Sequence, residues 1–359
     1  MSTSIASLIA SLIAALLAAS HACAATLPDK IRLKNLSFSG SGTRLIGRFD
    51  RTVAGAARFT WPGSALEFRF DGTAAALGIA DSGNNRFLVE VDGVSHMLLP
   101  TSGAFQYALA TGLSKGIHAI RVTRITESFE GESAFVSDPV VDGQILPAPA
   151  APQRRLLVLG DSITAGYGVE GAGQTCPYSP KTSNQQLTYT AMTANLLKAD
   201  LHTIAWSGIG AWRAYGETTP TAPTIGQRYS RILADDPQSS WNPANYQPDA
   251  VLIAIGTNDY WYGQPDKSYR KAMDNLLGRL AEEYPASAIY LIVSPMLQGR
   301  QREAHRTVLE SLTSVRIRLI DLGKMEKVDG FGCDGHPTPA TQARLAKALV
   351  RELTRDFAW

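Results

Sequence analysis

Five short apolar runs in the second half of this 359-residue chain restrict its fold more than any other feature; they occupy 156–159, 201–206, 251–255, 289–293 and 315–320. Near-continuous runs of this length suit strands covered on both faces, as in a parallel sheet. The stretches between them carry helical spacing. The clearest places Tyr269, Met273, Leu276, Leu277, Leu280 and Tyr284 on one face and ends at Pro285, and a last helix is expected over 339–356, after Pro337-Thr338. Strand and helix in alternation imply an αβα sandwich around a parallel five-stranded sheet.

The first half reads differently. Short strands are expected at 43–49, 56–61, 66–70, 75–80, 85–91, 94–99 and 118–125, separated by Gly, Asp, Ser and Asn. Phe70-Asp71-Gly72 and Val91-Asp92-Gly93 are hairpin signals, and the second joins two alternating runs. This pattern implies an antiparallel β-sandwich of jelly-roll type. Residues 142–153, DGQILPAPAAPQ, read as a proline-rich linker. The chain is longer than one core usually supports. The expected division is a leader at 1–25, a β-sandwich at 26–147 and an α/β domain at 148–359.

Hydrophobic residues make up 45% and charged residues 18%, enough for a substantial core. Lys and Arg total 34 against 32 Asp and Glu, and no basic stripe is present, so nucleic acid is not an expected partner. The uncharged run 5–19, IASLIASLIAALLAA, is shorter than the ~20 residues of a membrane span. With Ala22 and Ala24 behind it, it reads as a secretory signal cleaved near Ala24 or Ala25, although no Lys or Arg precedes it. A lipid anchor on Cys23 is the alternative. The expected location is secreted or periplasmic, with no membrane association after cleavage. Loss of Cys23 leaves Cys176 and Cys333, which in an oxidising compartment are a candidate disulfide, with two unpaired thiols as the other arrangement. Neither cysteine has metal-site spacing, and Gly166, Gly168, Gly171 and Gly173 follow no strand–helix junction that would cradle phosphate, so no metal or cofactor is expected.

Open α/β sheets bind their ligands beyond the carboxyl ends of the strands. The first apolar run ends there in Gly160-Asp161-Ser162. Taken alone, the triplet favours a helix N-cap serine over a nucleophile. Further landmarks follow the other runs. They are Trp206-Ser207-Gly208-Ile209-Gly210, then Gly256-Thr257-Asn258-Asp259-Tyr260-Trp261, then Pro295, and finally Gly332-Cys333-Asp334-Gly335-His336-Pro337 before the last helix. Strand-end loops of a parallel sheet share one edge, so all can converge on Ser162. The residue types suit acyl transfer: His336 can act as base, and the Ser162 and Gly208 N–H groups with the Asn258 amide can face an oxyanion.

By four blocks in order, Gly160-Asp161-Ser162, Gly208, Gly256-Thr257-Asn258-Asp259 and His336-Pro337, over about residues 154–356, the chain resembles the SGNH (GDSL-type) hydrolase family. A β-sandwich ahead of such a domain, Thr175-Cys176-Pro177-Tyr178-Ser179-Pro180, Trp261, and the block from Gly332 to Pro337 are similar to carbohydrate esterase family 2. The resemblance implies a serine esterase, without cofactor, that removes O-acetyl groups from plant cell-wall polysaccharides such as xylan and glucomannan. In that reading Ser162 attacks, His336 moves the proton, Ser162, Gly208 and Asn258 form the oxyanion hole, and Trp261 stacks on the sugar. The chain departs from most SGNH enzymes three residues before the histidine, where Cys333 replaces aspartate; Asp334 lies two before. Two arrangements therefore stay open: Asp334 as the third member of a triad, or a Ser–His dyad oriented by a backbone carbonyl. A Cys176–Cys333 bond would tie the loop after the nucleophile to the loop carrying the base.

Two other functions fit less well. An SGNH lipase or thioesterase would need an apolar acyl channel, against which the polar loop 174–186 weighs, and a non-catalytic carbohydrate-binding protein would lack one of the site residues, all of which are present. His96, His118, His202 and His305 read as surface or satisfied core positions, Asp161 as a turn residue and Asp259 as a loop anchor. Trp206 reads as core, Trp212 and Trp241 as core or cleft.

Overall fold

A computed structural model describes residues 30–359. The expected leader at 1–25, its cleavage point and Cys23 lie outside the described residues.

Alternation of apolar and polar residues drives the first half into two six-stranded antiparallel sheets. In Ala65–Gly72, Leu66, Phe68 and Phe70 are buried while Arg69 and Asp71 face solvent. In Gly116–Arg124, His118, Ile120 and Val122 take the buried side. Leu66, Phe68, Phe70, Ile120 and Val122 meet Phe59, Leu77, Ile79 and Phe135 of the opposing sheet in one core. Asp92-Gly93 joins Phe87–Val91 to Val94–Leu98 with φ of 51° and 84°, the paired positive angles of a type I′ hairpin. One long strand, Gly103–Ala110, was not expected. It pairs with Ala75–Asp81, and its Ala104, Ala108 and Ala110 give weak strand propensity, so the pairing comes from its neighbour.

The expected linker needs correction at its start. Gln144–Ile145 pairs with Ala65–Gly72, and the Asp142 carboxylate accepts the Thr73 and Ala74 N–H groups at 2.7 and 2.8 Å. The segment is a sandwich edge before it becomes irregular at 146–154.

The second half forms the five-stranded parallel sheet, in the order Asp200–Ala205, Arg155–Gly160, Ala250–Ala254, Ala288–Ile292, Ile317–Ile320. Because its strands are buried on both faces, neighbouring residues enter opposite cores. Leu157, Leu159, Val251 and Ile253 pack with Met273, Leu276 and Leu280 of Asp266–Glu283 and with Leu309 of Gly299–Glu310. Leu156, Val158 and Leu252 pack with Tyr189 and Ala194 of Tyr189–Leu197 and with Leu345, Leu349 and Leu353 of Pro339–Phe357.

Sandwich and α/β half are joined by buried contacts. Trp61 of the sandwich belongs to the α/β core. One Arg44 amino group donates to both Asp200 oxygens at 2.8 and 2.7 Å, and its Nε donates to Glu67 at 2.6 Å. The Gly47 N–H donates to His202 Nε2 at 3.0 Å, and the His202 ring stacks on Tyr246 at 3.5 Å. Burial holds the His202 pKa well below its ordinary value, so this histidine is a neutral acceptor.

Removing one partner of a largely buried ion pair strands the other. Arg44→Ala is expected to lower the unfolding free energy by about 3 kcal/mol, read from urea denaturation.

Candidate active site

Arg155–Gly160 is flanked on both sides, by the strand that follows it in sequence and by the third, so its carboxyl end is where the strand order reverses. Such a switch point opens a crevice. The chain leaves it through Asp161, whose carboxylate accepts the Ile163 N–H at 3.0 Å and caps the short helix Ser162–Ala165. The capping position thus belongs to Asp161, and the Ser162 hydroxyl is left for other work.

That hydroxyl lies 2.9 Å from His336 Nε2. The other ring nitrogen, Nδ1, lies 3.2 Å from the Cys333 carbonyl oxygen. A carbonyl only accepts, so Nδ1 carries the proton and Nε2 presents its lone pair to the Ser162 O–H. Burial pulls the His336 pKa down to about 4 against the opposing effects of that carbonyl and the Asp334 charge.

Of the two arrangements left open by the sequence, the geometry places the carbonyl at Nδ1. The Asp334 carboxylate is turned elsewhere: it accepts the Tyr167 hydroxyl at 2.8 Å and the Tyr178 N–H at 3.1 Å. Asp334 has φ of 51°, a left-handed turn that swings its side chain away from the histidine two residues on. A disulfide joins Cys176 to Cys333, and the Asp334 N–H donates to the Cys176 carbonyl at 3.0 Å.

Gly208 and Asn258 line the same cavity as Ser162 and His336, a space of about 700 Å³. At Gly208 the backbone sets the requirement. Its φ is +80°, and a Cβ there would meet only Tyr215, at 3.8 Å. The Asn258 amide donates to the Ile209 carbonyl at 2.7 Å, which aims the group while leaving its second N–H. Asp259 accepts the N–H groups of Ala211, Trp212 and Arg213 at 2.8–3.0 Å and anchors the loop that carries Gly208. Trp261 stands at the rim, 39% exposed, with the Tyr215 ring 6.1 Å away. A second cavity of about 720 Å³ adjoins the first across Trp261, Met296, Gln174 and Asp334.

Residues 45–149 match the carbohydrate esterase 2 N-terminal family, and residues 158–348, more than half of the chain, match the GDSL-like lipase/acylhydrolase family. Over 326 residues the chain is 32% identical to the cellulase/esterase CelE of Acetivibrio thermocellus, a match that takes in 87% of this chain and 39% of that longer protein. It is 28% identical over 250 residues to an acetylxylan esterase/glucomannan deacetylase of Cellvibrio japonicus, spanning 68% of this chain and 69% of the relative. The structure of a family two carbohydrate esterase from Clostridium thermocellum in complex with cellohexaose superposes with a TM-score of 0.84 at 30% identity, over 89% of this chain and 100% of that one. This chain belongs to carbohydrate esterase family 2.

In this family 2 chain several wall residues carry no signal in the sequence pattern. Tyr167 packs its ring 4.3 Å from His336 and stacks at 4.5 Å on Tyr178. Phe129 comes from the sandwich and also lines the cavity. The Tyr167–His336 contact and the place of Phe129 bring together segments far apart in the chain, which periodicity cannot register. Among the described residues no other histidine lines this cavity: His118 bonds to Asp92 at 2.6 Å, and buried His305 bonds to Tyr269 at 3.0 Å. Trp206 is half-buried, with Arg228 lying 3.8 Å over its ring.

The depressed basicity of His336 is open to direct measurement. In a ¹³C- or ¹⁵N-labelled sample its ring signals are expected to titrate near pH 4, and a midpoint near 6.5 would contradict the burial argument.

Proposed function

We propose that this protein is an exported serine esterase that removes O-acetyl groups from plant cell-wall polysaccharides such as xylan and glucomannan. One observation carries the reading: the 2.9 Å approach of a lone-pair-bearing His336 Nε2 to the Ser162 hydroxyl, in a cavity also lined by Gly208 and Asn258. The substrate class rests on the relatives named above. Export is favoured by the leader-like run at 5–19 and by the Cys176–Cys333 disulfide.

In this mechanism Ser162 Oγ attacks the acetyl carbonyl carbon while its proton passes to His336 Nε2. The carbonyl π bond opens to an oxyanion, which meets the N–H groups of Ser162 and Gly208 and the free amide N–H of Asn258. The intermediate collapses by breaking the bond to the sugar oxygen, and His336 returns its proton to that oxygen. Water then attacks the acetyl-serine with His336 again as base, releasing acetate and restoring the hydroxyl. Trp261, exposed at the junction of the two cavities, is placed to stack on the sugar ring.

The basic test is hydrolysis of p-nitrophenyl acetate and butyrate. Acetate turnover is expected to exceed butyrate and to disappear in Ser162→Ala; equal or better turnover of long acyl chains would move the assignment to a lipase. An acetylated xylan, mannan and glucan panel followed by NMR then identifies the polymer and the hydroxyl.

Asp334→Asn separates dyad from triad, because asparagine tolerates the left-handed backbone and keeps an acceptor for Tyr167 and Tyr178. The expected loss in kcat is below about tenfold, whereas a true triad carboxylate would cost on the order of 10⁴.

A further inference from the structure

The segment that follows the sandwich strand Gly116–Arg124 reaches into the α/β half and touches the loop bearing Gly208 at three points. The Ser128 hydroxyl faces the Ala205 carbonyl at 3.4 Å, the Phe129 ring packs edge-on to Trp206 at 5.7 Å, and the Glu127 carboxyl accepts a hydrogen bond from the Ser207 hydroxyl. Ser207 lines the cavity and precedes Gly208 directly. Glu127 is fully buried, and among the described residues its second carboxyl oxygen has no hydrogen-bond partner.

A buried acid would ordinarily be neutralised by a cation. Arg124 lies close by, but its guanidinium is spent on the loop backbone, donating to the carbonyls of Glu127 at 2.6 Å and Gly131 at 2.7 Å and to the Ser133 hydroxyl at 3.2 Å. The carboxyl group itself accepts the Ser207 hydroxyl, one residue before Gly208. An ionised carboxylate there would oppose negative charge developing at Gly208, whereas a neutral acid holds the loop without that penalty.

We infer that Glu127 is a positioning residue of the active site, a neutral carboxylic acid supplied by the β-sandwich that holds Ser207 and thereby aims the Gly208 N–H at the oxyanion. The inference rests on the esterase reading above. The electrostatic surroundings agree. Burial pushes the Glu127 pKa up to about 8, Glu130 adds to the rise, and Ser207 and Arg124 oppose it. Tyr167 and Tyr178, which face Glu127 from the segment after Ser162, are themselves pushed up by burial and by neighbouring carboxyl charge, so neither brings a competing charge below their titration.

The test uses the full chain with p-nitrophenyl acetate, comparing Glu127→Gln, Glu127→Ala, Ser207→Ala and the Ala/Ala double variant. Glu127→Ala is expected to lower kcat at least about tenfold, towards the 10²–10³ lost with an oxyanion donor, while KM stays within roughly twofold. Glu127→Gln, which keeps a neutral acceptor, should stay within roughly threefold of wild type at pH 7. The double variant should be no worse than the worse single one, since both act through one contact. In wild type, kcat should fall as pH rises through about 8, and Glu127→Gln should remove that fall. Wild-type kcat in Glu127→Ala, additive losses, or damage in Glu127→Gln equal to that in Glu127→Ala would each overturn the inference. If Ser162→Ala is dead while Glu127→Ala is normal, the esterase reading stands and this one falls. A readout without substrate covers failure of either assay or folding of the alanine variant. The ¹⁵N–¹H resonance of Gly208 should shift through a titration near pH 8 in wild type and not in Glu127→Gln, and a resonance that behaves alike in both sinks the proposal.

Discussion

The 2.9 Å hydrogen bond from Ser162 to His336 joins groups 174 residues apart, and much of the second half is arranged around keeping that distance. One end is fixed by the strand Arg155–Gly160, paired on both sides, and by the Asp161 cap. The other end is held from three directions. The Cys333 N–H donates to the Gly168 carbonyl at 3.0 Å, the disulfide ties the same residue to Cys176, and the helix that begins just after His336 is stitched to the serine helix. Gln342 makes that last link: its amide donates to the Ile163 carbonyl at 2.9 Å and accepts the Tyr189 N–H at 2.8 Å. A buried glutamine satisfied on both atoms is a specific coupling, because a slip of the helix would leave two polar groups unpaired.

A carbonyl at Nδ1 has a chemical consequence. It fixes the tautomer as a carboxylate would, but it adds no full negative charge to stabilise imidazolium. With the ring also buried against Tyr167, the neutral form is favoured far into acid, as the pKa of about 4 expresses. In the proposed reaction such a histidine is always ready to accept a proton, and the protonated intermediate is correspondingly less stabilised. The charge of Asp334 is still close enough to oppose the depression, although its hydrogen bonds go to Tyr167 and Tyr178. The carbonyl thus holds Nδ1 by a hydrogen bond, and the Asp334 charge acts on the ring without one.

The parallel sheet was legible because burial on both faces leaves an unbroken apolar run, as at 156–159 and 251–255. Alternation and the Asp92-Gly93 turn served the sandwich equally well. Gly103–Ala110 escaped because alanine carries little strand preference, and Gln144–Ile145 because prolines just beyond it suggested a linker. At the site, Ser162, Gly208, Asn258 and His336 could be picked out since each falls where an apolar run stops or a terminal helix starts. The choice between Asp334 and the Cys333 carbonyl could not, because it turns on one residue adopting φ of 51°. Tyr167, Phe129 and Glu127 were equally hidden: their contacts with His336, Trp206 and Ser207 exist only once distant segments are packed together.

That packing gives the sandwich more than a supporting place. A loop lining a cavity is useful to chemistry only if it does not yield when a substrate arrives. The segment after Arg124 meets this demand through buried polar contacts. Arg124 binds its carbonyls from within, the Gln185 N–H donates to the Ile125 carbonyl at 2.9 Å, and Glu130 accepts the Tyr178 hydroxyl at 2.6 Å. Tyr178 in turn stacks on Tyr167, which covers His336. One sandwich loop therefore braces both the wall behind Gly208 and the aromatic pair over the histidine. Buried polar groups of this kind gain little stability over an apolar core, but they permit only one arrangement, and a site that depends on tenths of an ångström has more use for the second property than the first.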